Sequence, residues 1–419
     1  MRKMKDSGIE WIGEIPEGWE VSRFKNVMHK EKVICEHYEG QDIISLTMNG
    51  VIKRDLENPS GKMPTTWDGY QFVEPEDLLL CLFDIDVTPR CVGLVKNKGL
   101  TSPAYSRFKV HKGYFNAYYN YLLRWIDDEK IFVHLSKNLR SSLTENDFGA
   151  LYTIIPPLYE QQQIADFLDK KCSEIDFVIS KTRETIEEYK KLKQSIITEV
   201  VTGKVKIENE KVCGKYDTYK DSGVEWIGEI PSEWEVKRLK FSSKVRNEKY
   251  SESYGVLEYF GLENIESHSA KFVETENIYD ITQSQICRKD DIVFGKLRPY
   301  LAKVYEVPID ECCSSEFAVF YDFEGCNKYF KYLFLSYGFI TIIDASTYGT
   351  KMPRANIDFI KNMSITLPCF ETQQKIADYL DNKCSEIDTL IAKKEQLVVE
   401  LEAYKKSLIY EVVTGKRGV

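Results

Sequence analysis

The chain repeats itself at long range, and this constrains its fold more than any other feature. MKDSGIEWIGEIPEGWEVSRFK at 4–25 returns as YKDSGVEWIGEIPSEWEVKRLK at 219–240. IADFLDKKCSEID at 164–176 returns as IADYLDNKCSEID at 376–388, and EVVTGK at 199–204 returns at 411–416, both displaced by 212 positions (376 − 164 and 411 − 199). Each half therefore runs phrase, variable block, helix. Solenoid units span roughly 20–50 residues, so a period this long marks a duplicated half-protein. The blocks between the repeats have diverged far more than the repeats, as two different readers on one frame would.

The repeated helices are legible from their boundaries. Pro156-Pro157 and Pro368 close extended segments, because proline disfavours helix just before it. From Glu160 to Thr202 and from Glu371 to Thr414 there is neither Pro nor Gly, and Gly203 and Gly415 stand where a C-terminal glycine belongs. Apolar residues recur in steps of three and four. The first set is Ile164, Leu168, Cys172, Ile175, Ile179, Ile186, Tyr189 and Ile196; the second is Ile376, Leu380, Cys384, Ile387, Ile391, Val398, Leu401 and Leu408. This is a coiled-coil seam, flanked by a solvated face of Lys, Glu and Asp. At 1.5 Å per residue each helix is roughly 60 Å long. A small domain cannot cover such a stripe, so the economical partner is the other copy, in an antiparallel pair related by a pseudo-two-fold axis.

The variable blocks span about 26–155 and 241–367. Strand-like runs rich in β-branched and aromatic residues are QDIISLTM, EDLLLCLFDI, RCVGLV and AYSRFKV in the first, and EYFGLENI, DDIVFGKL, LAKVYEV and EFAVFY in the second. One helix is expected in each, over 114–126 and 328–340. Strands followed by a helix give an α/β class, mixed α+β. The expected organisation is 1–156, opening phrase and first block; 157–205, first long helix; 206–368, linker, second phrase and second block; 369–419, second long helix.

Catalytic signatures are missing. There is no G-x-x-x-x-G-K-[ST] and no G-x-G-x-x-G. PPLY at 156–159 resembles an amino-methyltransferase motif, but Ile155 replaces its polar first residue and the repeat partner reads PCFE, so it is a helix-opening turn. The five histidines (29, 37, 111, 134, 268) follow no metal-binding or hydrolase spacing, and the pairs Asp84/Asp86 and Asp290/Asp291 read as loop and turn residues. Eleven cysteines without a C-x-x-C pair suit reduced, mostly buried thiols. No catalytic residue and no metal ligand is expected. No run approaches the ~20 apolar residues that span a bilayer, and MRKMKDSGIEW lacks the apolar core of a secretory signal, so no membrane partner and a cytoplasmic location are expected. A net charge of −9 counts against a protein that coats DNA non-specifically, but allows a local basic face.

Binding residues are easier to find. RKDDIVFGKLRPYLAK offers Lys296, Arg298 and Tyr300 around a turn that Pro299 fixes. STYGTKMPRANIDFIK, near the end of the second block, offers Tyr348, Lys351, Arg354 and Asn356. The corresponding end of the first block, HLSKNLRSSLTENDF, offers Lys137, Asn138, Arg140, Ser141 and Ser142, and SLTMNGVIKRD offers Thr47, Asn49, Lys53 and Arg54. Arg and Lys suit guanine edges and phosphates, Asn suits adenine, and Ser and Thr suit phosphates and either edge.

Together these features resemble the DNA-specificity subunit of type I restriction-modification systems. The resemblance covers essentially the whole chain. It rests on the KDSG-EWIGEIP-W phrase, the P-x-x-x-x-Q-Q-x-I-A-D-[FY]-L-D helix start at 156–169 and 368–381, the EVVTGK helix end, SPAYSRF at 102–108, and the order of parts. It implies two target-recognition domains, separated by two long helices packed as an antiparallel coiled coil. Each domain would read one half of a bipartite, asymmetric target in double-stranded DNA. It implies partners too: two methyltransferase subunits modifying adenine N6, and motor-nuclease restriction subunits. No cofactor would sit on this chain; S-adenosylmethionine, ATP and magnesium would belong to those partners. Half-sites one DNA turn apart, roughly 34–36 Å, suit a ~60 Å rod acting as a ruler. The competing readings are a self-contained enzyme, a specificity subunit of a methylation-only or type-II-like assembly, and a coiled-coil adaptor that binds no DNA.

Overall fold

The computed structural model describes residues 2–48, 50–58, 64–88, 90–136, 141–251, 254–255, 257–275, 284–347 and 352–419. It divides into two units: residues 1–182 with 396–419, and residues 183–395. Among the described residues no helix is long and apolar enough to cross a membrane.

In the first unit the opening phrase folds into an antiparallel hairpin, Met4–Asp6 against Glu14–Pro16. Glu20–Arg23 then pairs with Tyr152–Ile155, so the two ends of the block are clamped together. Between them lies a four-stranded antiparallel sheet in the order Met28–Lys30, Ser106–Val110, Leu78–Leu80, Val92–Leu94. The helix Asn116–Asp128 lays Tyr118, Leu122 and Trp125 into the same core. The second unit repeats this plan. Tyr219–Asp221 pairs with Glu229–Pro231, and Glu235–Arg238 with Ser364–Leu367. Its sheet runs Lys244–Arg246, Phe317–Tyr321, Ile292–Gly295, Val304–Glu306.

Two departures from the sequence reading have local causes. The helix expected over 328–340 is two helices, Asn327–Leu335 and Tyr337–Ala345, broken at Ser336. The break carries the Tyr337 N–H to the Thr198 hydroxyl (3.0 Å) and lays Gly338 on Trp226, whose ring a Cβ there would meet at 2.5 Å. Short strands also went unanticipated. Gln71–Val73, Gly99–Thr101, Gln285–Cys287 and Glu311–Cys313 are only three residues each and show no alternation.

The long helices are Leu158–Val201 and Phe370–Val413, 44 residues each. Their packing is antiparallel. In the first unit Ile175 and Ile179 share a core with Val398 and Leu408, and Lys405 grips both oxygens of Asp176 at 2.6 Å. In the second, Ile186 packs with Ile387 and Ile391, with Tyr189 and Ile196 at the margin, and Lys193 grips Asp388 at 2.8 and 2.9 Å. The rest of the seam, Ile164, Leu168, Ile376 and Leu380, is buried against the block of its own unit, while Leu401 is half-buried. All eleven thiols are free, and nine of them are buried.

Each helix ends in a dock built from the repeated phrase. Gly203 and Gly415 both adopt φ +72°, the left-handed geometry glycine supplies at a helix C-terminus. Gly203 lies on Pro231 and Trp234, and Gly415 on Pro16 and Trp19. The following lysines reach backbone carbonyls of the phrase: Lys204 that of Glu229 at 2.6 Å, Lys416 those of Ile12 and Glu14 at 2.7 and 3.2 Å. A buried tyrosine hydroxyl satisfies a last-turn carbonyl in each case, Tyr329 to Val201 at 3.3 Å and Tyr118 to Val413 at 2.9 Å. The phrase thus receives a helix end.

Candidate nucleic-acid interface

The second sheet positions the basic segments. Strand Ile292–Gly295 runs into Lys296-Leu297-Arg298, and the late segment 353–355 closes against it. The Arg298 N–H donates to the Pro353 carbonyl, and the Ala355 N–H to the Lys296 carbonyl, both at 2.8 Å. Leu297 and Arg354 form an antiparallel bridge. Two segments some 55 residues apart in the chain (353 − 298 = 55) therefore form one surface cluster. Glu316 lies beneath it: its carbonyl accepts from the Lys296 N–H at 2.8 Å, and its carboxylate is paired with Arg354. Arg298 is left-handed at φ 50°, exposed, and caps the short helical turn Pro299–Leu301. No carboxylate among the described residues is paired with its guanidinium. Lys296 is half-buried, and burial holds its ammonium below the usual lysine range. Tyr300 is partly exposed, and Asn356 spends its side chain capping the helix Ile357–Asn362 through the Asp358 N–H (2.8 Å).

Two other cations of this stretch are engaged. Arg288 pairs with Glu248 at 3.0 Å, and Lys303 donates to the Leu262 and Ile265 carbonyls at 2.7 and 2.6 Å.

The first unit builds the same cluster from different residues. The Leu143 N–H donates to the Leu82 carbonyl at 2.8 Å, and the Ile85 N–H to that of Ser141 at 3.1 Å. Ser142 Oγ accepts from the Asp84 N–H at 3.4 Å. Equivalence of the leading sides of the two turns rests on backbone and side-chain markers displaced by 214; beyond them the turns differ in length, closing at Cys91 and at Lys303, 212 positions apart (303 − 91). Gln71 and Gln285 each donate to two carbonyls of a turn before the last sheet strand. Asp77 and Asp291 each accept from the N–H three residues earlier, at 2.7 and 2.8 Å. Glu76 and Asp290 are both left-handed, and so are Asp84 and Arg298. Arg298 and Asp84 are therefore matched by the leading strand and by their left-handed backbone, with opposite charge, although Arg298 itself donates to the Pro353 carbonyl whereas Ile85, the residue after Asp84, donates to that of Ser141. Asp84 reads as a loop residue in the sequence, and only its left-handed backbone after the matched strand pairs it with Arg298.

Thr47 and Lys53 lie on another element of the first unit, the hairpin Ile44–Thr47 and Gly50–Lys53, and Arg54 follows it directly. Thr47 Oγ bonds the Gly50 carbonyl at 2.9 Å, Lys53 pairs with Asp42 at 2.8 Å, and Arg54 is half-buried with its N–H on the Ile43 carbonyl. Asn49, Lys137, Asn138, Arg140, Tyr348 and Lys351 lie outside the described residues.

Residues 231–400 match the family model of the type I restriction modification DNA specificity domain. The protein named for the type I restriction enzyme MjaX specificity subunit of Methanocaldococcus jannaschii is 25% identical over 436 residues, covering 97% of this chain and 95% of that one. The chain is thus similar to a type I specificity subunit over nearly its whole length. The MjaVIII specificity subunit of the same organism is 26% identical over 280 residues, 62% of this chain and 61% of its own. Two solved structures share the fold of this chain at 14% identity. One, described under complex assembly and conformational transition of the type I R-M system, has a TM-score of 0.71 and covers 96% of this chain and 99% of its own. The other, the HsdS subunit of Thermoanaerobacter tengcongensis, has a TM-score of 0.52 with 96% and 98% covered.

Proposed function

We propose that this protein is the DNA-sequence-recognition subunit of a type I restriction-modification complex, reading a bipartite, asymmetric target with one unit per half-site. One observation carries the reading. The two units build the same turn-on-segment cluster at the same place in the same sheet, yet fill it with different side chains. Conserved scaffolding with diverged tips suits two readers of two different sequences. A coiled-coil adaptor leaves those tips without a role.

Partners complete the activity. Adenine-N6 methyl transfer and ATP-driven cleavage belong to methyltransferase and restriction subunits, which hold S-adenosylmethionine, ATP and magnesium. The test is a block exchange. The full chain with residues 26–155 replaced by those of another specificity subunit is co-expressed with its methyltransferase partner, and methylated motifs are mapped across the host genome. One half of the motif changes and the other stays. A change in both halves, or in neither, overturns the assignment.

A further inference from the structure

The equivalence of Asp84 and Arg298 carries a statement about which bases the two units select. It rests on the reading above. Both residues are left-handed at the tip of the same turn, with φ 47° and 50°, and both are exposed. Each tip is anchored by the late segment of its unit: the Asp84 N–H donates to the Ser142 hydroxyl and the Ile85 N–H to the Ser141 carbonyl, while the Arg298 N–H donates to the Pro353 carbonyl. Both side chains leave a left-handed residue at the same distance from the start of the matched sheet strand, while their hydrogen-bonding sense is opposite. A guanidinium only donates; a carboxylate only accepts.

In the major groove, guanine shows two acceptors, O6 and N7, which an arginine fork fits bidentately. Cytosine shows only its N4 amine, a donor that suits Asp or Glu. Phosphates attract arginine but repel a carboxylate, so an Asp at this tip has no use on the backbone. A position that carries Asp in one unit and Arg in the other is placed to read base edges. Glu316 supports the basic tip by holding Arg354 beside it, while its other carboxylate oxygen is buried with no hydrogen-bond partner.

We propose that Arg298 reads a guanine in the half-site of the second unit, that Asp84 reads the N4 amine of a cytosine in the half-site of the first, and that Glu316 is a positioning residue for Arg354. The full chain with its methyltransferase partner is first mapped for its motif, and the block exchange assigns each half. Arg298→Asn and Asp84→Asn are then compared with wild type, since Asn tolerates left-handed backbone. Expected is relaxation at one guanine of the second half-site for Arg298→Asn and at one cytosine of the first for Asp84→Asn, other positions unchanged. Replacing that guanine by 7-deazaguanine, which lacks the N7 acceptor, weakens wild-type binding about 10-fold and leaves Arg298→Asn indifferent. Glu316→Gln weakens discrimination at a position adjacent to that guanine without altering the guanine itself.

An Arg298→Asn motif identical to wild type overturns the proposal, as does a loss of binding equal for all sequences, which marks a phosphate contact. A second half-site without guanine also overturns it. Each of these leaves the recognition function standing; a wild-type complex with no bipartite motif overturns both.

Discussion

The two lysine–aspartate pairs between the long helices offer an experiment with its own control. Lys193–Asp388 and Lys405–Asp176 are repeat equivalents in which the two helices exchange roles. Their geometry favours the second, at 2.6 Å for both oxygens against 2.8 and 2.9 Å. Their burial favours the first. The side chains of Lys193 and Asp388 are 7% and 16% exposed, whereas Asp176 is 58% exposed beside Lys405 at 17%. Asp388 also receives Lys271 at 3.0 Å. Removing one partner of a buried pair costs about 3–5 kcal/mol, because the remaining charge is stranded. An exposed pair is worth ~0–1 kcal/mol. Some water reaches Asp388, so Asp388→Ala falls near the low end, about 3 kcal/mol, and Asp176→Ala stays below about 1. The helix-propensity gain of Ala is common to both and cancels. For a unit of this size about 3 kcal/mol is a fall in Tm of about 6–12 °C. Thermal and denaturant unfolding of the full chain measure both variants side by side. Equal losses, or a larger loss for Asp176→Ala, would show that bond length outweighs burial here and refute the reasoning. The double change Lys193→Met with Asp388→Leu recovers most of the loss, since replacing a buried pair by apolar groups is close to neutral.

Gly203→Ala forces left-handed backbone on alanine and drives its Cβ to 2.4 Å from the Pro231 ring, for a loss of about 2–4 kcal/mol. Gly8→Ala, at φ +69° with open space around it, shows the backbone cost alone, about 1 kcal/mol; equal Tm shifts for the two would remove the dock from the explanation. Burial, then the Glu258 carboxylate, push Glu311 up to about 7. A raised carboxyl stabilises fully below its unfolded value near 4.5 and loses that contribution as pH rises through about 7, so wild type loses about 2–3 kcal/mol over this window relative to Glu311→Gln. Parallel stability–pH curves for the two proteins would rule this out. Gly338→Ala destabilises by about 1–3 kcal/mol through its clash with Trp226, and Trp226→Leu in the same chain relieves most of that loss if the ring is the cause.

The legible parts of this molecule were those with a long-range period. The long helices, their boundaries and their antiparallel seam follow from some forty residues of regular spacing without Pro or Gly, and glycines at 203 and 415 mark the ends to within two residues. Short strands were harder. Glu311–Cys313 is buried on both faces, and Gln71–Val73, with Phe72 half-buried between two buried residues, is too brief for a pattern to show. The break at Ser336 was invisible because its cause, the packing of Gly338 on Trp226, joins residues 112 positions apart (338 − 226). The basic segments around Arg298 and Arg354 were found by residue type, yet sequence could not tell that a bridge at Leu297 unites them. Asp84 was missed for a different reason: its interest lies in being Arg298's counterpart, and the blocks are too diverged to align without the backbone.

The docks at the helix ends impose an order on the making of the protein. The second dock joins Gly203 to Pro231, 28 residues apart (231 − 203), and closes almost as soon as it is synthesised. The first joins Gly415 to Pro16, 399 residues apart (415 − 16), so residues 4–19 have no helix end of their own to hold until residue 415 has been made. Long-range contacts form late and slowly, and exposed apolar surface is vulnerable meanwhile. The first helix end to emerge during that wait is 199–204, whose six residues are identical to the intended 411–416. Nothing in the helix end itself tells the two apart. The shortness of the 203–231 connection lowers the loop-closure cost of capturing 199–204 at its own phrase relative to the distant one.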